Sequence, residues 1–373
     1  MNPFKFGTIV QGDQFYDRET ETKKIIDTLT AGNNVVLFAP RRFGKTSLTF
    51  KVIELLEKQG YICIYFDFFP VFSIQSFLKL YIDAVQKQQK NLEKLVQFIT
   101  STIKHIRPKI TFGQDGKPEL GIDIIETPVS VQTISQILDL PDKMGLKKKI
   151  VVVFDEFQEI EKLNSYGLEN LLRTKIQQQQ NVSYLFLGSR THMLNDMFNN
   201  KNRAFYNSAY HLQLPVLPEK DSIKFLKKKF ADSSIEISDE CAQYLIQTAG
   251  NIPYYIQMLA SVVWQMAITK IKSIDNEMID TSAFEIINNK FDYYTELFDR
   301  QSSKQKQLLL ALTHSGENIF SAEYTRQYHL NTPSTTQKSV AALQDAGIIE
   351  KEGNSYFISD PFFKRFLKRI AVI

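Results

Sequence analysis

Residues 35–48 read Val35-Val36-Leu37-Phe38-Ala39-Pro40-Arg41-Arg42-Phe43-Gly44-Lys45-Thr46-Ser47-Leu48. Four consecutive apolar residues make a short buried strand, and a Pro/Arg/Gly turn closes it. From Thr46 onward Leu48, Val52, Leu55 and Leu56 fall on one helical face, and Gly60 ends the pattern. A strand, a Gly-Lys-Thr loop and a helix, in that order, form the setting in which backbone N–H groups and a helix N-terminus hold phosphates. Lys45 is then expected to reach the β- and γ-phosphates, and the Thr46 hydroxyl to hold Mg²⁺. Ala39, Pro40, Arg41, Arg42, Phe43, Gly44, Lys45, Thr46 and Ser47 are the candidate cradle. Ala39 stands where the motif has its first glycine, which a negative φ there permits.

Working outward, further apolar runs of strand length lie at Tyr61–Phe66, Val151–Phe154, Tyr184–Leu187 and Tyr210–Leu214, separated by helical patterns. That alternation predicts an α/β fold with a parallel sheet covered by helices. The run ending in Asp155-Glu156 places two carboxylates at a strand's C-terminal edge, where burial is costly unless they have a task. Asp155 is expected to hold Mg²⁺, and Glu156 to orient or deprotonate an attacking water. Phe186-Leu187-Gly188-Ser189-Arg190 ends a further buried strand. Ser189 is placed either to hydrogen-bond the γ-phosphate or the water, or to cap the next helix. Lys109–Phe112 and Leu120–Asp123 flank Gly113-Gln114-Asp115-Gly116, which predicts a β-hairpin insertion over about residues 107–125 without evident chemistry.

After Pro215 and Pro218 the pattern is helical. Asp221 or Ser222 is read as the cap of one helix, Ser238 of a second, and Pro253 as the start of a long third. From Ser302 come an apolar helix with Leu308, Leu309 and Leu312, a Ser321-capped helix, a helix over Ser334–Leu343, and two strands around Gly353-Asn354. This order sketches a winged helix. The expected domains are 1–215, 216–300 and 301–373. Apolar residues make up 43% of the 373 and the net charge is +4, enough for several cores and only mildly basic. Two cysteines give no disulfide framework or zinc spacing. No apolar run reaches the roughly 20 residues of a membrane span, and Met1–Gln14 lacks a leader pattern. The expectation is a cytoplasmic protein of a reducing compartment.

These strand ends in this order resemble the AAA+ superfamily of P-loop ATPases. More narrowly, the chain is similar to the prokaryotic archaeal-type ATPases, relatives of the STAND proteins. Phe15-Tyr16-Asp17-Arg18-Glu19-Thr20-Glu21 resembles the family's Gly-Arg-Glu-x-Glu element beside the adenine, with Asp17 in place of the usual glycine. Pro40–Leu48 matches its loop. Phe186–Ser189 with Met193, Met197 and Phe198 matches its sensor strand and the next helix. Ala249-Gly250-Asn251-Ile252-Pro253-Tyr254 resembles the Gly-x-Pro element of the lid, and Asp360-Pro361-Phe362-Phe363 is also family-like. The resemblance implies an ASCE/AAA+ type sheet, an all-α lid and a winged-helix domain, with ATP or ADP and Mg²⁺ as cofactors. It places Phe15, Arg18 and Pro253 at the nucleotide. No lid arginine lies between Gly250 and Met258, so Pro253 is expected to face the base. It also makes Arg203 a candidate arginine finger acting on a neighbouring subunit of a homo-oligomer, with Arg190 as a second candidate within its own chain.

The reading is an ATPase coupling its nucleotide state to a winged helix that binds DNA or a partner protein. A nucleotide-gated switch or scaffold with little turnover is the alternative, and a small-molecule kinase finds no acceptor pocket in the sequence. From Ser302 onward nine Lys/Arg face six Asp/Glu. In the presumed recognition helix only Lys338 is basic. Lys364, Arg365, Lys368 and Arg369 form a stronger cluster on the last helix.

Overall fold

The computed structural model describes residues 1–10, 12, 15–88, 106–112, 118–124, 129–144, 149–189, 191–270, 273–330 and 332–371. Its contacts divide the chain into two units. One comprises Glu19–Ala39 and Leu48–Leu214, the other Met1–Arg18, Pro40–Ser47 and Pro215–Ile373.

In the first unit the strands are β1 (Val35–Phe38), β2 (Ile62–Asp67), β3 (Ile106–Phe112), β4 (Pro118–Ile124), β5 (Ile150–Asp155), β6 (Val182–Gly188) and β7 (Tyr210–Gln213). Five of them form one sheet in the order β2-β5-β6-β1-β7, every pair parallel. All five strands read from the sequence are present. Parallel strands need crossovers, and the helices Ile74–Gln86, Val131–Leu138, Leu168–Gln178 and Thr191–Asn199 occur among these crossovers, while Glu19–Thr30 precedes β1. Both faces are therefore buried, which is why β1, β5 and β6 are buried throughout and mostly apolar rather than alternating.

One face carries an aromatic layer. Phe66, Phe154, Tyr184 and Phe186 on the strands pack with Phe68, Phe77, Tyr81, Phe157, Phe198 and Phe205, all essentially buried. Ring centroids of Phe157 and Phe186 lie 4.7 Å apart, and Phe68 and Phe77 stack at 5.8 Å. Such pairs add to the burial of their area through their quadrupoles. At the start of β1, Asn34 ties the strand to both neighbours. Its Oδ1 accepts from Tyr184 N at 2.9 Å, its Nδ2 donates to Ser208 O at 3.3 Å, and its carbonyl accepts from Tyr210 N at 2.7 Å. The expected insertion is seen as the antiparallel pair β3–β4, with Ile106 opposite Ile124. Its turn lies outside the described residues.

In the second unit, helices Glu219–Ala231, Asp239–Thr248, Pro253–Lys270 and Asn276–Asn289 follow in sequence. Ser238 caps the second of these and Pro253 opens the third. The first begins earlier than the expected caps, because Pro218 has a fixed φ and no N–H, and the helix starts directly after it. Asp221 and Ser222 thus fall inside that helix, and the buried Ser222 hydroxyl meets the Tyr16 hydroxyl at 3.4 Å. The N-terminal segment packs on these helices. Phe4 sits 4.7 Å from the Phe230 ring, Tyr16 stacks on Phe225 at 4.0 Å, and burial pushes the Tyr16 phenol up to about 12.

After a helix at Phe291–Asp299, helices Ser303–Leu312, Ala322–Gln327 and Pro333–Asp345 follow, then the hairpin of β8 (Ile349–Glu352) and β9 (Ser355–Ile358), and a last helix Pro361–Ile370. Ser302 caps Ser303–Leu312 and Ser321 caps Ala322–Gln327. No helix among the described residues is long and apolar enough to cross a membrane.

The Asn34 brace has a measurable consequence. Asn34→Ala leaves the buried Tyr184 N–H without its acceptor and should lower stability by about 1–3 kcal/mol in urea denaturation. Asn34→Asp keeps that acceptor and should recover much of the loss, whereas equal losses in both variants would show that the brace is not what matters.

Candidate active site

The parallel register brings the C-terminal ends of β1, β6 and β5 to one edge of the sheet, with Phe38 opposite Gly188 and Phe154 opposite Phe186. Asp155 is the last residue of β5 and is 5% exposed. Its Oδ2 accepts from the Tyr65 hydroxyl at 2.7 Å and its Oδ1 from Glu156 N at 2.9 Å. Burial, and then the Asp155 charge, push the Tyr65 phenol far above its ordinary value, so it stays a donor. Asp67 sits opposite Asp155 in the β2–β5 register and accepts from Phe69 N at 2.8 Å. Burial raises its carboxyl, and the negative charges of Asp155, Glu156 and Glu159 add to the rise.

Glu156 follows with φ 48° and ψ 42°, left-handed backbone that a side chain enters at a cost of roughly 1–2 kcal/mol. Its Oε2 accepts from Ser189 Oγ at 2.8 Å, Ser189 N at 3.3 Å and Gln158 Nε2 at 2.5 Å. Ser189, 2% exposed, thus meets Glu156 through both its hydroxyl and its backbone. Arg190 lies outside the described residues.

Arg203, expected to reach a neighbouring subunit, is engaged within its own unit. Its guanidinium lies 2.7 Å from Glu161, 2.8 Å from Glu169 and 2.9 Å from Asp196. Partial burial works against its charge, but the hydrogen bonds it donates to Glu169 and Glu161 outweigh that and raise its pKa further.

In the other unit the loop turns through left-handed backbone at Arg42 (φ 72°) and Gly44 (φ 82°) before Lys45 opens the helix Lys45–Lys58. At Gly44 a Cβ would meet nothing within 4 Å, so glycine is needed there for its φ rather than for space. Lys45 Nζ donates to Pro40 O at 2.9 Å, and Ser47 Oγ accepts from Val10 N at 3.1 Å. Phe43 is buried and Thr46 half-buried; Ala39, the last residue of the other unit's first segment, is also buried. Arg41 is exposed, and its guanidinium lies 3.4 Å from where a Cβ on Gly347 would stand.

Arg42 points away from a purely local role. Its guanidinium is 4.9 Å from the Tyr255 ring, 5.2 Å from the Tyr254 ring and 3.4 Å from Asp360 Oδ2. Its carbonyl accepts from Tyr254 N at 3.4 Å. Asp360 in turn caps the last helix through Phe362 N and Phe363 N and accepts from the Tyr294 hydroxyl at 3.2 Å. Pro253 follows Gly250 and Asn251, both at positive φ, and a Cβ at Gly250 would come 3.3 Å from Pro361. Phe15 is half-buried and Arg18 is 3% exposed with φ 73°.

Residues 15–259 match the family of ATPase domains found predominantly in Archaea. The chain belongs to that family. Residues 292–369 match a probable winged helix domain. Among solved structures, the Walker-type ATPase PABY2304 of Pyrococcus abyssi is 16% identical, with a TM-score of 0.67 over 98% of this chain and 99% of that one. The ORC2 protein of Aeropyrum pernix, solved as ADPNP–ADP complexes, is 13% identical, with a TM-score of 0.57 over 100% of this chain and 96% of that one. None of the curated proteins compared with the chain matches it. The chain is an ATP-hydrolysing P-loop protein with an α/β sheet domain and a C-terminal winged helix. Asp17, which replaces the family's usual glycine, has φ 61°, the region glycine enters without strain.

Three residues have partners that escaped the sequence reading: Tyr65 on Asp155, Gln158 on Glu156, and Asp360 on Arg42. Each lies far from its partner in sequence or on an irregular turn, so no periodicity marks it. The Arg203 cluster makes its own expectation. Arg203→Ala strands the nearly buried Glu169 and should cost about 2 kcal/mol in chemical denaturation. Arg203→Lys, a point charge without the planar fork, should recover only part of that. An unchanged midpoint in Arg203→Ala would mean the cluster adds nothing to stability.

Proposed function

We propose that this ATPase hydrolyses ATP with Mg²⁺ and passes its nucleotide state to the winged helix through Arg42. Lys45 and the loop 40–47 hold the phosphates. Thr46 and Asp155 offer hard oxygen donors, which suit an ion that binds one or two protein oxygens together with phosphates. Among the described residues no group of three or more His, Cys, Asp or Glu side chains is arranged to hold a metal alone. Mg²⁺, when bound, neutralises charge on the phosphates, and Glu156 acts on the attacking water. Phe15, Arg18 and Pro253 belong to the base end of the site on this reading.

The observation that carries the coupling is the Arg42–Asp360 contact at 3.4 Å. Arg42 belongs to the phosphate loop, and Asp360 caps the last helix of the winged-helix domain. A phosphate in the loop competes with Asp360 for the same guanidinium, so binding and release alter the restraint on that helix.

For the partner of the winged helix, the charges favour a protein surface over DNA. Arg365 donates to Thr248 Oγ1 at 3.0 Å and lies 3.5 Å from Asp280, while Arg369 lies 4.4 Å over the Phe284 ring. Two cations of the last helix are thus committed within the unit, and DNA affinity depends on several free ones. On the helix Pro333–Asp345 the exposed face carries Gln337, Lys338, Ala341 and Ala342.

Steady-state hydrolysis tests the first part. Wild type should turn over ATP in Mg²⁺ and stop with EDTA, and Glu156→Gln should bind ATP yet lose at least about 100-fold in kcat. Duplex DNA added to the same assay should leave the rate unchanged; stimulation would instead make DNA the partner.

The coupling has a separate readout. Asp360→Asn keeps an acceptor for the helix cap while removing the negative charge that faces Arg42. Hydrogen exchange in residues 361–370 should respond to an ATP analogue in wild type and lose that response in Asp360→Asn. An equal response in both proteins would exclude the Arg42–Asp360 route.

A further inference from the structure

The donors around Glu156 are unevenly placed. Three of them, Ser189 Oγ, Ser189 N and Gln158 Nε2, converge on Oε2, and none among the described residues is recorded on Oε1. The left-handed backbone of Glu156 and the N–H it donates to Asp155 fix the root of the side chain, while the three donors fix its tip.

Gln158 is built into this arrangement. It is 1% exposed, and its Oε1 is buried without a hydrogen-bond partner. An amide held with one end unsatisfied costs free energy, so its burial is compensated by what Nε2 does. The opposite orientation would set its oxygen against a carboxylate. Space for it comes from Gly188, where a Cβ would stand 2.1 Å from Gln158 Oε1 and 2.5 Å from Leu194 Cδ1. The glycine ending β6 is required by this close approach, because its φ is not among the positive ones.

We propose that Gln158 and Ser189 are positioning residues for hydrolysis, clamping Oε2 of Glu156 so that Oε1 is the oxygen that takes the proton of the attacking water. The proposal rests on Glu156 being the hydrolytic base. In the step, a water O–H bond breaks and its proton passes to Oε1. The water oxygen bonds to the γ-phosphorus, and the bridging P–O bond breaks with its electron pair leaving on ADP. Glu156 then returns the proton to solvent, and ADP and inorganic phosphate are the products. Ser189 serves the base here rather than the γ-phosphate. Without the clamp the carboxylate samples several rotamers, and misplacement of a reacting group by about 1 Å can cost on the order of 100-fold in rate.

The test compares kcat, KM and the affinity for a fluorescent ADP analogue across wild type, Gln158→Met, Ser189→Ala, Ser189→Thr and the Gln158→Met/Ser189→Ala pair. Gln158→Met keeps the volume and removes the donor. It should lower kcat by about 10- to 100-fold with KM and analogue affinity within about twofold. Ser189→Ala should behave alike, and Ser189→Thr, which keeps the hydroxyl, should restore most of the rate. The pair should lose less than the product of the single losses, because both residues hold one oxygen. If Gln158→Met does not fold, Ser189→Ala and Ser189→Thr carry the test alone. Unchanged kcat in both single variants overturns the clamp, and so does a rise in kcat, which would make these residues a restraint on the base. A loss shared equally by kcat and analogue affinity overturns it as well, since it would put Ser189 or Gln158 at the nucleotide. Failure of the underlying reading looks different: Glu156→Gln would then hydrolyse ATP as fast as wild type.

Discussion

Everything in the sheet unit depends on one constraint, the parallel register of β1, β6 and β5. Parallel pairing sends all three strands out at the same edge, and β6 between β1 and β5 makes its own end a neighbour of both. With Phe154 opposite Phe186, Glu156 leaves β5 at the level where Ser189 leaves β6. A slip of one residue would turn the aromatic layer to the wrong face and carry the carboxylate away from the serine. The burial of Phe154, Phe157, Phe186 and Phe205 is therefore also what brings the Glu156 carboxylate to Ser189.

Strain and hydrogen bonding then divide the work at that edge. Asp155 stays in the strand, with both oxygens already accepting from Tyr65 and from the next N–H. Glu156 leaves the strand through left-handed backbone, and three donors oppose the cost of that turn. Two adjacent carboxylates in one sequence motif thus meet different surroundings, one held in the plane of the sheet and one turned along its edge. Different environments for neighbouring acids are the usual route to different chemical roles.

The phosphate loop has a second use of its side chains. Its glycine and lysine serve the turn and the loop itself, while Arg42 lies over Tyr254 and Tyr255 and faces Asp360. A cation over two aromatic rings and beside one carboxylate is held by several weak contacts rather than one strong one, and arrangements of that kind shift with modest changes in local charge. Lys290 beside it is lowered by burial, partly offset by Asp360, so the surroundings of Asp360 are crowded with positive charge as well.

Much of this was legible in the chain. Continuous apolar runs mark strands buried on both faces. Gly-Lys-Thr and Asp-Glu are local in sequence, the first at a helix start and the second at a strand end, and Ser238, Pro253, Ser302 and Ser321 mark helix starts through their own backbone chemistry. The five-strand sheet, the helices after Pro218, and the helix–hairpin order of the winged helix follow from such local rules. Tertiary structure alone decided the partners. That Gln158 reaches Glu156, that Tyr65 reaches Asp155, that Arg203 gathers Glu161, Glu169 and Asp196, and that Arg42 meets Asp360 depend on which surfaces fold against each other. Side chains far apart in sequence become neighbours through packing, which no spacing along the chain encodes, whereas caps, turns and buried strands are set by residues next to one another.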